Sequence, residues 1–159
     1  MTAELGKKAP DFTAPVCDGS QVQPLTLSKE FGKENIVLAF FPLAFSSVCT
    51  EELCQFRDGL AEFNKVNAKI FGISVDSPFV QNAFIKANGF KFKLISDFNK
   101  EIIEKYGVMH EMLGTLKGVA KRSVFVLDKQ GTVRYQWVSE DPKVKPALPE
   151  IVEALRKLK

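Results

Sequence analysis

The sequence predicts an α/β sandwich in which helices flank a mixed central β-sheet. Apolar runs alternate with amphipathic stretches through most of the chain, and a hairpin pattern followed by an amphipathic helix closes it. With 159 residues, 45% of them hydrophobic, the chain is long enough for one core and too short to expect two. We therefore expect residues 1–159 to form a single domain.

The first predicted elements run from a hairpin to an amphipathic helix. The N-terminal hairpin is expected around Cys17. The apolar run 36–41 fits a strand that is buried on both faces, and Pro42 ends it. From Cys49 to Phe63, apolar residues recur at helical spacing with charged residues between them, which predicts a helix.

The rest of the chain continues the same alternation. The later predicted elements are a buried strand over 70–75, a helix from about Pro78 to Ala87, a short strand at Leu94 and Ile95, a helix capped by Asn99 and running towards Tyr106, a less regular segment from Gly107 to Lys121, a hairpin of 123–127 with 132–138, and a closing helix with apolar residues from Leu148 to Leu158. This order of elements suits a thioredoxin-like fold with a mixed sheet and an N-terminal hairpin.

Charge and composition argue against several classes of function. The net charge of +3 comes from 22 basic and 19 acidic residues without the basic stripe of a nucleic-acid binder. No apolar run approaches the roughly 18 residues of a membrane span, and residues 1–8 lack the apolar core of a secretory signal. We therefore expect a soluble, cytoplasmic protein that binds neither nucleic acid nor membrane.

The three cysteines suggest redox chemistry. An odd number in a reducing cytosol argues against a structural disulfide framework and favours catalytic or redox-sensing use. Cys17, Cys49, Cys54 and the single His110 lack the paired spacing of a zinc site. Nothing beside Cys17 suggests activation, and we interpret it as structural.

Cys49 is the candidate nucleophile because it falls in the first turn of its predicted helix. Unpaired backbone N–H groups and the positive end of the helix dipole favour an anion there, and the thiolate is the reactive form of cysteine. The alternative is a buried, inert thiol, since free cysteines are among the most buried residues. The position alone leaves both interpretations open.

The neighbours of Cys49 favour the reactive interpretation. Pro42, Ser46 and Cys49 stand in the spacing Pro-x-x-x-Ser-x-x-Cys, which resembles the active-site signature of peroxiredoxins, with serine in place of the commoner threonine. Proline can shield the sulfur from water, and a hydroxyl can hold the peroxide oxygens while the thiolate attacks in line. Further landmarks of that family, in family order, are Asp11-Phe12, residues 49–52, residues 122–128 and Gly131.

The resemblance also assigns expected roles to Arg122 and Glu52. Arg122 is expected to be the active-site arginine that stabilises the Cys49 thiolate and the negative charge developing on the peroxide; the alternative is a solvated residue at a strand start. For Glu52 two interpretations stay open. It either holds that guanidinium through its carboxylate, or it is an acidic residue favoured by the helix dipole in a first turn.

Cys54 follows Cys49 by five residues in the same predicted helix. Residues at this spacing have Cα atoms about 8.7 Å apart in an intact helix, whereas a disulfide normally needs less than about 7 Å. The two thiols can therefore bond only if the first turns unwind. The spacing resembles the bacterioferritin-comigratory, or Q-type, subfamily, which implies that Cys54 resolves the sulfenic acid within one subunit; an inert thiol is the alternative.

The resemblance implies a thiol peroxidase that reduces hydrogen peroxide and alkyl hydroperoxides. Cys49 is oxidised to a sulfenic acid, Cys54 condenses with it to a disulfide, and a thioredoxin-like dithiol protein restores both thiols without any metal, haem or flavin. The preferred hydroperoxide stays open, as does the choice between a monomer and a homodimer.

Three other functions also stay open. A one-cysteine peroxiredoxin of the alkyl-hydroperoxide-reductase-E group would use an external thiol, and a redox sensor would pass its oxidation to a partner. A thioredoxin-like disulfide reductase is disfavoured, because those proteins resemble Cys-x-x-Cys and Glu52 stands at the position of the second cysteine.

Overall fold

The computed structural model describes residues 2–158, so Met1 and Lys159, the ends of the expected single domain, lie outside the described residues. The strands in this part of the chain are β1 (Thr13–Cys17), β2 (Val22–Thr26), β3 (Asn35–Phe40), β4 (Ala68–Ser74), β5 (Lys93–Ser96), β6 (Met109–Leu113), β7 (Leu116–Ala120), β8 (Ser123–Leu127) and β9 (Val133–Val138). The α-helices are α1 (Ser47–Asp58), α2 (Leu60–Lys65), α3 (Pro78–Asn88), α4 (Glu101–Tyr106) and α5 (Leu148–Arg156). A short 3₁₀ helix, Leu27–Glu30, follows β2.

Seven strands form one mixed sheet in the order β2-β1-β5-β4-β3-β8-β9. The neighbours β3, β4 and β5 run parallel, whereas the other pairings in the sheet are antiparallel. β1 and β2 form the predicted N-terminal hairpin, and helices pack on the sheet. The predicted fold class, a mixed sheet flanked by helices, is confirmed.

The central strand β3 separates two apolar clusters. Its residues alternate between them, with Val37 and Ala39 in one cluster and Ile36 and Leu38 in the other. All six residues of β3 are buried, which explains why the sequence shows a continuous apolar run there rather than alternation. The first cluster also takes the buried face of α1, including Cys49, Leu53 and Phe56. The helix that carries the candidate nucleophile is therefore anchored on the sheet.

The helix predicted from Cys49 to Phe63 is interrupted in the structure. α1 ends at Asp58, and Gly59 has φ −92° and ψ 7°, outside the helical range, before α2 begins. A β-carbon on Gly59 would lie 3.2 Å from the backbone oxygen of Gln55, which is a tight contact. The prediction of one helix was wrong because the apolar spacing continues across this break.

Two further expectations differ from the structure. The segment that the sequence leaves irregular contains the hairpin of β6 and β7, which turns at Gly114 with a positive φ of 63°. Asn99 does not cap α4. The carboxylate of Asp97 instead accepts hydrogen bonds from the backbone N–H groups of Ile102 and Ile103, because Lys100 takes a left-handed conformation that turns the chain back over Asp97.

Between residues 2 and 158, none of the helices combines the length and the apolar character needed to cross a membrane.

Candidate active site

Cys49 is the third residue of α1, after the loop that follows β3. Ser46 precedes the helix in an extended conformation, and its carbonyl accepts hydrogen bonds from the backbone N–H and the hydroxyl of Thr50. The side chain of Cys49 is fully buried. Cys49 thus lies in the first turn, as predicted, where backbone N–H groups without intrahelical partners favour an anion.

Arg122 reaches the same place from the neighbouring strand. It directly precedes β8, whose first residue, Ser123, pairs with Phe40 at the end of β3. Its Nη2 donates a hydrogen bond to the Sγ of Cys49 at 3.1 Å. The guanidinium is almost completely buried, with 1% of the residue exposed, so the interpretation of Arg122 as a solvated residue does not hold.

The other two nitrogens of Arg122 also donate hydrogen bonds. Nη1 donates to Oε1 of Glu52 at 2.8 Å, and Nε donates to the backbone oxygen of Pro142 at 3.0 Å. Pro142 lies in the connection between β9 and α5, and nothing in the sequence pattern indicates its contact with Arg122. The planar guanidinium is therefore held on three sides, by Cys49 and Glu52 of α1 and by Pro142 of this connection.

Glu52 is fully buried and forms an ion pair with Arg122. Its other oxygen, Oε2, has no hydrogen-bond partner among the described residues. Burial raises the pKa of Glu52 to about 7, although the charge of Arg122, its hydrogen bond and the charge of Lys145 act in the opposite direction. The structure thus contains the first of the two expected roles of Glu52, the contact with the guanidinium. The second does not apply, because Glu52 lies beyond the first turn of α1.

The environment of Arg122 favours its charged form. Burial lowers the pKa of the guanidinium, but the charges of Glu52 and Cys49 and their hydrogen bonds outweigh burial, and the net pKa is raised. A fixed cation thus lies against the sulfur in a buried site, where an electrostatic interaction is stronger than at the surface.

Pro42 and Ser46 lie in the loop between β3 and α1. Pro42 is buried, whereas Ser46 is exposed. The hydroxyl of Ser46 donates to the backbone oxygen of Leu43 at 2.8 Å, and within residues 2–158 no hydrogen bond joins it to Cys49. Between them, Phe45 adopts a left-handed φ of 67° and rests its half-exposed ring on Phe84 at 4.9 Å between centroids.

Cys54 lies on the same continuous helix as Cys49 but faces another element. It is half-buried, and its Sγ lies 3.8 Å from Oδ1 of Asn88 at the end of α3. Cys49 and Cys54 are both free thiols, and α1 has no break between them. The helical separation that is too long for a disulfide therefore applies to this structure.

Cys17 has none of these features. It is buried at the end of β1, and its Sγ lies 3.7 Å from the backbone oxygen of Pro78. Burial, with a smaller contribution from the charge of Asp18, raises the pKa of the Cys17 thiol to about 11. A thiol of this kind is not activated as a nucleophile at neutral pH.

The sequence of this chain is similar to a known protein family. Residues 5–136 match the AhpC/TSA family model, and this range includes Cys49, Glu52, Cys54 and Arg122. The chain belongs to the AhpC/TSA family. It is a peroxiredoxin, as the resemblance of its sequence implied.

Two curated relatives and one solved structure show the range of this similarity. A chloroplastic 2-cysteine peroxiredoxin of Chattonella marina var. antiqua is 36% identical over 146 residues, covering 87% of this chain and 72% of that protein. Alkyl hydroperoxide reductase E of Mycobacterium tuberculosis is 37% identical over 143 residues, covering 89% of each. The crystal structure of peroxidoxin BcpB from the same species has a TM-score of 0.85 and 31% identity, covering 99% of both chains.

These comparisons confirm the thioredoxin-like fold of the peroxiredoxin family. Related plant chloroplastic 2-Cys peroxiredoxins are longer, and the chain spans between 52% and 66% of their lengths.

The shared contacts of Arg122 predict that lysine cannot replace it. Arg122→Lys keeps the charge but loses the planar fork that reaches Cys49 and Glu52 together. We expect the rate constant for oxidation of Cys49 by hydrogen peroxide to fall roughly a hundredfold, as when a donor aimed at developing charge is removed. Rapid quenching and mass measurement of oxidised Cys49 give this rate. Arg134→Lys, at an exposed arginine that pairs with Asp128, should keep the wild-type rate, and an unaltered rate in Arg122→Lys would contradict this role.

The raised pKa of Glu52 predicts how stability depends on pH. The folded state binds the proton of Glu52 more tightly than the unfolded chain does, so this contribution to the free energy of unfolding is fully present below pH 4.5 and is lost as pH rises towards 7. The total loss is about 3 kcal/mol for a shift from 4.5 to about 7. Glu52→Gln should remove this dependence.

Urea unfolding at a series of pH values measures the difference between the wild type and Glu52→Gln. That difference should change steadily between pH 4.5 and 7 and become constant above. Glu51→Gln changes an exposed carboxylate on the same helix and is the matched control. Parallel curves for the wild type and Glu52→Gln across this range would contradict the assignment.

Proposed function

We propose that this chain reduces hydrogen peroxide and alkyl hydroperoxides through a sulfenic acid on Cys49 that Cys54 resolves as an intramolecular disulfide. As a peroxiredoxin it is a thiol-dependent peroxidase. The observation that supports Cys49 as the attacking residue most strongly is the hydrogen bond from a buried Arg122 to its sulfur at 3.1 Å. Neither of the other cysteines has a hydrogen bond from a cation within residues 2–158.

In the first step the thiolate of Cys49 attacks the terminal peroxide oxygen. The S–O bond forms, the O–O bond breaks, and the leaving oxygen takes a proton to become water or an alcohol. Negative charge moves from the sulfur to the leaving oxygen, and the donors of Arg122 are already fixed by Glu52 and Pro142. Ser46 is proposed to bind the peroxide by exchanging its bond to Leu43 for one to the substrate, while Pro42 shields the sulfur.

In the second step Cys54 attacks the sulfenic sulfur of Cys49. The S–S bond forms, the S–O bond breaks, and water leaves with the proton of the Cys54 thiol. Because the intact α1 keeps the two Cα atoms about 8.7 Å apart, this step requires local unwinding of the helix. A thioredoxin-like dithiol protein is the proposed reductant of the disulfide.

The finer assignment that we propose is the Q-type, or bacterioferritin-comigratory, subfamily. Two observations support it: both cysteines lie five residues apart on one helix, and peroxidoxin BcpB matches the chain over its whole length. We further propose that the enzyme acts in the cytoplasm, as a monomer or a homodimer.

A second candidate is a one-cysteine peroxiredoxin in which an external thiol reduces Cys49. The 37% identity with alkyl hydroperoxide reductase E favours it, since that protein matches as well as the 2-cysteine relative does. In this alternative Cys54 has no redox role, and the sulfenic acid on Cys49 survives until the external thiol arrives.

The variant Cys54→Ser separates the two candidates. The two-cysteine mechanism predicts that its first oxidation by peroxide keeps the wild-type rate, while steady-state turnover with thioredoxin and its reductase falls to background. Peroxide-treated wild type should yield the Cys49–Cys54 disulfide on mass mapping. Cys49→Ser should abolish both steps, and Cys17→Ala, the control at the buried third cysteine, should retain both. A stable sulfenic acid on wild-type Cys49 without a disulfide would instead support the one-cysteine enzyme.

A further inference from the structure

The thiol of Cys54 rests against the end of α3. Its Sγ donates a hydrogen bond to Oδ1 of Asn88, the last residue of that helix, at 3.8 Å. Gly89 follows in the left-handed conformation, with φ 63°, and ends the helix there. The contact between Cys54 and Asn88 thus joins α1 to the terminus of a neighbouring helix.

The orientation of the Asn88 side chain is fixed by its second hydrogen bond. Nδ2 donates to the backbone oxygen of Phe84 at 3.0 Å. A backbone oxygen only accepts, so the amide nitrogen must face Phe84 and Oδ1 must face Cys54. Phe84 is fully buried and packs on Phe41 and Phe90, so the amide rests on a rigid support.

Arg57 makes a second connection between the same two helices. Its Nη1 donates to the backbone oxygen of Asn88 at 2.7 Å, while its Nε donates to Asp58 at 2.9 Å. Arg57 follows Cys54 by three residues and therefore lies on the same side of α1. The last two turns of α1 are attached to Asn88 once through its side chain and once through its backbone.

We propose that Asn88 is the positioning residue that holds Cys54 away from Cys49 in the reduced enzyme, and that release of Cys54 from Asn88 limits disulfide formation. This inference rests on the two-cysteine mechanism proposed above. The S–H proton that Oδ1 of Asn88 accepts is the proton that leaves when Cys54 attacks the sulfenic acid of Cys49. Once that proton has left, the sulfur has no hydrogen bond to donate to Oδ1, so the contact with Asn88 is lost in the attack.

The contact between Cys54 and Asn88 also affects how readily peroxide overoxidises Cys49. A second peroxide can oxidise the Cys49 sulfenic acid to a sulfinic acid before the disulfide forms. The longer Asn88 retains Cys54, the longer the sulfenic acid is exposed to this reaction. Asn88 is therefore expected to set the peroxide concentration at which the enzyme is inactivated, because it sets how soon Cys54 reacts with the sulfenic acid.

The test is the variant Asn88→Ala, with both steps followed by rapid quenching, alkylation and mass mapping. The formation of the Cys49–Cys54 disulfide should become about twofold faster, the factor at the low end of net hydrogen-bond strength, because a thiol is a weak donor. The peroxide concentration that overoxidises half of Cys49 should rise by the same factor. The first oxidation of Cys49 should keep its rate, since Asn88 has no hydrogen bond to Cys49 or Arg122 within the described chain.

Ala87→Gly is the matched control, because it weakens the last turn of α3 at an exposed position and leaves both side chains of the Cys54–Asn88 contact in place. It should leave disulfide formation at the wild-type rate. Equal acceleration in Ala87→Gly, or an unaltered rate in Asn88→Ala, would overturn the role of Asn88 while leaving the two-cysteine mechanism intact. Absence of the disulfide in the wild type would overturn that mechanism, and this inference with it.

Discussion

The guanidinium of Arg122 is the interaction on which the site depends. A buried cation is unfavourable unless its donors are paired, and here the partners come from two distant parts of the chain: Cys49 and Glu52 on α1, and Pro142 in the connection between β9 and α5. The ion pair of Lys145 with Glu51 attaches the same connection to the outer side of α1. The folded α1 and the contact between Arg122 and the sulfur of Cys49 are therefore stabilised together, because movement of the first turn removes Cys49 from Arg122.

The beginning of α1 carries less local support than its middle. The hydroxyl of Ser46 bonds to Leu43 rather than to the first backbone N–H groups, so the helix lacks the side-chain cap that usually stabilises a first turn. Phe45 before it holds a left-handed φ that a bulky residue rarely adopts. Leu53 and Phe56, by contrast, are fully buried on the sheet. These differences favour the proposed unwinding of the first turns while the strands of the sheet stay folded.

Sequence patterns predicted the elements that are encoded by neighbouring residues. They did not predict features that depend on contacts between residues far apart in the sequence. The buried strand β3 follows from a continuous apolar run, and the position of Cys49 follows from apolar spacing at the helical period. Arg122 and Glu52 follow from family resemblance and helix geometry. Pro142 contributes only a backbone oxygen, which any residue type supplies, and Asn88 acts through a contact 34 residues from Cys54. Similarly, the carboxylate of Asp97 caps α4 because Lys100 turns the chain back, which propensity alone does not indicate.

The proposed mechanism requires α1 to be folded during peroxide attack and unwound in the disulfide form. Hydrogen exchange of the α1 amides, measured on the dithiol protein and on the peroxide-oxidised protein, tests it most directly, because exchange reports the opening of individual helical hydrogen bonds. We expect the amides between Thr50 and Cys54 to be protected in the dithiol form and to exchange rapidly in the disulfide form, while those of β3 stay protected in both. Equal protection of α1 in a fully disulfide-bonded sample would contradict the account.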